Sequence, residues 1–155
     1  MERAAFPESV EPARLAITRT YPVAPEKVWR AWTDPQALIH WFGPGEPESV
    51  TLAETDVRAG GRYHIVFHTP DGEDHDVSGV YQEVEPNRRL VFSWAWKSTP
   101  ERVSRVSLTL RPVAGGTELA FVHDRFFDVE ARDRHAYGWG GCFEKLTAFL
   151  AASIA

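Results

Sequence analysis

Few side chains in this sequence have the type and spacing for chemistry, and the sharpest are two histidines, His123 and His135. His123 ends the alternating series Leu119, Phe121, His123, so its imidazole shares a strand face with apolar residues. There it can hydrogen-bond a carbonyl or hydroxyl, or move a proton near neutral pH. His135 stands one helical turn before Trp139, and together the two are the pair suited to acid–base work. Each can equally be a structural histidine bonded to a backbone group or a carboxylate. His64 and His68 lie on a strand pattern, separated by roughly 13 Å of rise, too far to share one ion. No paired-cysteine site, glycine-rich phosphate loop or Gly-x-Ser-x-Gly elbow occurs, so neither a metal nor a cofactor is expected. The single cysteine, Cys142, falls on an apolar helix face and reads as a small buried hydrophobe rather than a reactive thiol.

The residues suited to lining a pocket are mostly aromatic. Alternation places Leu90, Phe92, Trp94 and Trp96 on one strand face against Val91, Ser93 and Ala95. It does the same for Val106, Leu108 and Leu110, and for Tyr63, Ile65 and Phe67. Trp139, Phe143 and Leu146 of a long helix stand opposite, with Trp41 and Phe42 from a short one. The expected ligand-binding set is Trp41, Phe42, Tyr63, Phe67, Tyr81, Phe92, Trp94, Leu108, Phe121, His123, Trp139 and Phe143. Any one of these can instead be plain core. As a group they suit a flat, mostly apolar molecule with one or two polar atoms, because pockets are generally apolar with few convergent polar groups. Arg19, Asp56, Arg58 and Glu83 read as salt-bridge or turn-fixing residues, with a contact to a ligand's polar end as the alternative.

A sheet and one long helix must position these side chains. Leu15 and Ile17 alternate with Arg14 and Thr18 in a half-buried first strand over 13–20. Pro25 suits a first helical position, and Val28, Trp29 and Trp32 give a short helix. It should stop at Asp34, because the residue before Pro35 is pushed out of the helical region. Asp34 then caps a second short helix to about Trp41, closed by Gly43-Pro44-Gly45. From Ser49 onward, turn signals such as Ala59-Gly60-Gly61, Pro70-Asp71-Gly72 and Ala114-Gly115-Gly116 separate six strand-like runs. Linkers this short cannot carry a parallel crossover of a dozen or more residues, so neighbouring strands are antiparallel. Asp128 can cap a final helix to about Ser153, roughly 36 Å long. Its apolar face reads His135, Trp139, Cys142, Phe143, Leu146, Phe149 and Leu150, and with no second long helix that face must lie on the sheet. Gly138, Gly140 and Gly141 interrupt it beside Trp139. Close packing of the helix backbone is the expected compensation, with a widened segment at a pocket mouth as the alternative.

At 155 residues the chain reads as a single domain over 13–155 behind a loose lead-in, 1–12. Its formal charge is −5, from 17 Lys and Arg against 22 Asp and Glu, and no basic run appears, so nucleic acid and anionic membrane are not the expected partners. The first residues carry no signal-peptide pattern, no run is apolar enough to span a bilayer, and one cysteine suits a reducing compartment. A cytoplasmic location is expected.

Several short stretches recur in a familiar order: Thr18-Arg19-Thr20, Ala24-Pro25-Glu26-Lys27-Val28-Trp29, Trp32-Thr33-Asp34-Pro35, Trp41-Phe42-Gly43-Pro44, Asp56-Val57-Arg58-Ala59-Gly60-Gly61, Gly79-Val80-Tyr81-Gln82-Glu83-Val84, Leu90-Val91-Phe92 and Gly138-Trp139. From about Arg14 to Leu150 the chain resembles the bacterial branch of the family named for the C-terminal domain of the activator of heat-shock-protein ATPase, within the START-like (SRPBCC) superfamily. The resemblance implies an α+β helix-grip fold, a curved antiparallel sheet wrapped around a long C-terminal helix, with two short helices between strands 1 and 2. It also implies a cavity between sheet and helix that across the superfamily holds lipids, sterols, polyketides or other apolar molecules. Three functions stay open: binding a small apolar ligand in that cavity, a cyclase or dehydratase using His123 or His135 in the same cavity, and partnership with a chaperone, as the family name hints. A homodimer is open as well. With no nucleophile or metal set, the residues favour a binding module over an enzyme.

Overall fold

The structure is a computed structural model and describes residues 14–43 and 48–152. The expected lead-in over 1–12, and Pro44 and Gly45 of the expected helix stop, lie outside the described residues. In chain order the elements are β1 (Leu15–Tyr21), α1 (Pro25–Thr33), α2 (Pro35–Trp41), β2 (Val50–Thr55), β3 (Arg62–His68), β4 (Asp74–Glu85), β5 (Arg89–Trp96), β6 (Ser104–Val113), β7 (Gly116–Asp124) and α3 (Val129–Ala152). The strands form one seven-stranded antiparallel sheet in the order β1-β7-β6-β5-β4-β3-β2. Six consecutive strands meander across it, and β1 closes the far side by pairing with β7, Leu15 opposite His123 and Tyr21 opposite Thr117. The result is an α+β fold, a curved sheet packed against a long C-terminal helix.

Asp34 sets the break between the two short helices. Its backbone N–H still donates to the Arg30 carbonyl at 2.9 Å and so ends α1, while its side chain accepts from the Gln36 N–H at 2.9 Å and starts α2. The carboxyl also receives the Arg30 guanidinium at 2.9 Å, and those hydrogen bonds, the Gln36 one first, hold it below the usual carboxylate range. The Trp41 indole N–H then donates to the Ala31 carbonyl at 2.9 Å, tying α2 back onto α1. Asp128 caps α3 by accepting from the Ala131 N–H at 2.8 Å.

One apolar core joins all the layers. Val28 and Trp32 of α1, Leu38 and Trp41 of α2, the inner face of the sheet, and Trp139, Cys142, Phe143, Leu146 and Leu150 of α3 belong to a single cluster. Fully burying a large apolar side chain contributes about 1.5–3 kcal/mol, so α3 is held mainly by this face. Alternation identified the inner residues of β3, β6 and β7, all buried. On β4 the pattern switches: Val77, Gly79 and Tyr81 point inward before a register shift between Tyr81 and Glu83, and Val84 packs on the core after it. Val91 departs from expectation, being buried although it sits on the face opposite Leu90 and Phe92. Gly140 also departs from it: a Cβ there would meet nothing within 4 Å, so close packing does not explain that glycine. Gly79 is the opposite case, since a Cβ would lie 2.0 Å from the Ser93 carbonyl oxygen and 2.8 Å from the Tyr63 ring.

Candidate functional site

Between the α1–α2 pair and the inner face of β3–β5 lies an apolar void of about 20 Å3. A water needs roughly 10–15 Å3, so the void is of solvent size. Its wall is Trp32 of α1, Leu38 of α2, Phe42 just beyond, Tyr63 and Ile65 of β3, Tyr81 of β4, and Phe92 and Trp94 of β5. Five residues of the expected set therefore meet there: Phe42, Tyr63, Tyr81, Phe92 and Trp94. Trp41, Phe67, Leu108, Phe121, His123, Trp139 and Phe143 are buried but stand outside the wall.

The void lies toward α1 and α2, whereas the expected cavity lay between the sheet and the C-terminal helix. The α3 rings pack against sheet rings there: Trp139 lies 4.8 Å from Phe121 and 5.2 Å from Trp94 between centroids, and Phe143 lies 5.2 Å from Phe121. Trp32, Leu38 and Ile65 complete the wall from outside the expected ligand-binding set. Ile65 shares a strand face with Tyr63, and Leu38 and Trp32 lie on the apolar faces of their helices, so the signal was present. Periodicity shows that a residue is buried; it does not show which neighbour it meets.

The two candidate histidines form a buried network of their own. An indole N–H only donates, which sets the tautomer of whatever receives it. The Trp139 N–H donates to His123 Nδ1 at 3.0 Å, so His123 carries its proton on Nε2 and donates it to Ser104 Oγ at 2.7 Å. Ser104 in turn donates to the Trp94 carbonyl at 3.3 Å. His135 has the opposite tautomer: Nε2 accepts from the Trp96 indole at 2.9 Å and from the Trp94 indole at 3.3 Å, while Nδ1–H donates to the Ala131 carbonyl at 2.7 Å. The rings lie 5.1 Å apart. Burial pushes His123 well below the ordinary imidazole range, and His135 beside it adds to the shift. Burial also lowers His135, against the raising effect of the Ala131 hydrogen bond. Both rings are thus neutral with both nitrogens occupied, and neither lines the void.

Two of the wall's polar groups are spent, the Tyr63 hydroxyl and the Trp94 indole. The Tyr63 hydroxyl donates to the Ser93 carbonyl at 2.6 Å, and burial raises its pKa far above the usual phenol range. Burial raises that of Tyr81 too, with Asp56 adding to it. The indole N–H of Trp32, by contrast, is buried with no partner. An orphaned donor of this kind costs about 1–3 kcal/mol.

The remaining candidates fix surfaces and turns. Arg58 reaches Asp56 at 2.9 Å and Arg89 reaches Glu83 at 2.9 Å, while the Arg19 guanidinium lies 5.8 Å from the Phe143 ring. His64 pairs with Asp76 at 3.0 Å and His68 with Asp74 at 2.9 Å, separately. Asp71, Glu73 and His75 bring ligand-type atoms within 4.8 Å of one another at the β3–β4 turn. Asp71 there already accepts from the Thr69 hydroxyl and the Glu73 N–H, which explains the cluster as a turn cap. Cys142 is buried, and burial pushes its thiol up to about 12. No described helix is long and apolar enough to cross a membrane.

Known proteins share this architecture. The description "Activator of Hsp90 ATPase homolog 1-like protein" matches residues 22–151. The human protein "Activator of 90 kDa heat shock protein ATPase homolog 1" is 27% identical over 127 residues, which make up 81% of this chain and 33% of that protein. The chain thus spans about a third of the length of the curated relatives it matches. A solved protein from Rhodobacter sphaeroides superposes with a TM-score of 0.77 at 33% identity, covering 91% of this chain and 94% of that one. The AHSA1 protein of Silicibacter pomeroyi superposes with a TM-score of 0.77 at 29% identity, covering 91% and 99%. The matched span holds both the void and the histidine–tryptophan network, and sequence and fold agree across it: the chain belongs to the Activator of Hsp90 ATPase homolog 1-like family.

Proposed function

We propose that this protein binds a small, mostly apolar molecule between α1–α2 and the inner face of β3–β5, enlarging the void found there. The observation that carries this reading is the wall: eight aromatic or aliphatic side chains from two helices and three strands converge on a space that none of them fills. Pockets for drug-sized ligands occupy roughly 300–1,000 Å3, so the guest must push part of the wall aside. The sheet side resists, because β3, β4 and β5 each pair with a strand on both edges. The α2 side yields more easily, being a seven-residue helix tied to α1 through the Trp41 indole and the Asp34 cap. Leu38 and Phe42 are the side chains that move.

Titration with monocyclic aromatics, fatty acids and sterols tests this. Binding should change the emission of Trp32 and Trp94 and raise Tm, as any ligand of the folded state does. Leu38→Phe, which fills the void, should weaken it. A panel that leaves both emission and Tm unmoved refutes the reading.

A second reading, contact with a 90 kDa heat-shock ATPase, is favoured by the identity to the human activator. Exposed apolar residues are available for it: Phe127, 63% exposed with the Arg102 guanidinium 3.9 Å from its ring, and Val103, 54% exposed. Purified chaperone that retains none of this protein in a pull-down removes the proposal.

A further inference from the structure

We infer that the ligand presents a neutral hydrogen-bond acceptor, a carbonyl or ether oxygen, to the indole N–H of Trp32. This rests on the apolar-ligand reading above and deepens it. The other buried indoles all have acceptors: Trp41 donates to the Ala31 carbonyl at 2.9 Å, Trp94 to His135 at 3.3 Å and Trp139 to His123 at 3.0 Å. Trp32 is only 5% exposed and its N–H has none. Its ring forms part of the void's wall, where the Tyr63 hydroxyl and the Trp94 indole are already engaged elsewhere.

Chemistry narrows the partner. An indole N–H donates and never accepts, so the atom facing it must be an acceptor. The wall holds no charged side chain, and an ionised carboxylate moved into such surroundings without a counter-charge is strongly disfavoured. A neutral ketone, aldehyde, ester or ether on an apolar body satisfies both conditions. Burying that oxygen opposite Trp32 pairs two groups, each of which is costly alone.

Cyclohexanone and methylenecyclohexane have nearly the same shape and differ in the acceptor, so their affinity ratio isolates this contact. Measured by NMR titration of the 15N-labelled protein, the ratio of ketone to alkene binding should fall about fivefold in Trp32→Phe relative to wild type. Comparing ratios cancels the ketone's greater cost of leaving water. In wild type, the Trp32 indole proton should move downfield with the ketone and not with the alkene, which keeps the test decisive should Trp32→Phe fail to fold. Tyr81→Phe removes the wall's other hydroxyl and is the comparison variant, and Tyr137→Phe, on the exposed side of α3, should leave the ratio unchanged. If neither compound binds, the apolar-ligand reading falls and takes this inference with it. If both bind but the ratio ignores Trp32→Phe, or follows Tyr81→Phe instead, the ligand reading stands and Trp32 is not its polar contact.

Discussion

Replacing His123 by leucine and Trp139 by phenylalanine in the same protein removes a buried imidazole together with the donor that faces it. His123→Leu alone leaves the Trp139 N–H without an acceptor, a loss of about 1–3 kcal/mol at pH 7.5, whereas removing both partners recovers part of that. The sharper consequence is in the pH dependence. Burial holds the folded-state pKa of His123 well below that of the unfolded chain. Below pH 6.5 the unfolded chain therefore takes up a proton that the folded protein refuses, and stability falls as the solution is acidified until the folded pKa is reached. One such histidine costs at most about 2 kcal/mol between pH 7.5 and pH 5.0, the limit reached when the folded form takes up no proton in that range. Carboxylates of ordinary pKa stay largely ionised over that range, and the other histidines are common to both proteins. Urea unfolding followed by circular dichroism at several pH values in this window gives the difference directly. The double variant should gain on wild type as the pH falls, by up to about 2 kcal/mol between the two ends. A difference that stays constant with pH would mean that His123 takes up a proton in the folded state as readily as in the unfolded one, and the account of a locked, neutral network would be wrong.

Other perturbations follow from single contacts. Gly79→Ala drives a Cβ into the Ser93 carbonyl and the Tyr63 ring and should cost about 3 kcal/mol in denaturant unfolding, with Gly140→Ala as the harmless control because its Cβ meets open space. Asp34→Ala removes the cap of α2 and the Arg30 ion pair and should cost about 1 kcal/mol, with the loss read as a lower midpoint at unchanged slope. The Cys142 thiol, pushed up to about 12 by burial, should be silent to a disulfide reagent at pH 8 and react only as fast as the fold opens; prompt labelling of the native protein would contradict its burial.

Much of the fold was legible because its signals act over a few residues. The Asp34-Pro35 pair, the Asp128 cap and the short turns each constrain their own neighbourhood, and α1 ends at Thr33, α2 begins at Pro35 and α3 begins at Val129 accordingly. The shift after Tyr81 was not legible, because a bulge belongs to the pairing of β4 with β5 and not to the pattern of β4 alone. Nor was the openness around Gly140, which depends on what α3 happens to face there.

The site divides along the same line. Which faces are apolar, and that the consecutive strands β2 to β7 run antiparallel, are properties of the chain itself, carried by periodicity and by linker length. Which of the rings leave a gap and which interlock was decided only when α1, α2 and α3 came together on the sheet, since packing depends on shapes brought in from distant parts of the sequence. The same holds for the histidines: His123 is occupied by Ser104 and Trp139, and His135 by Trp96 and Ala131. A nitrogen's freedom to react is set by the partners that reach it, and most of these arrive from other strands and helices.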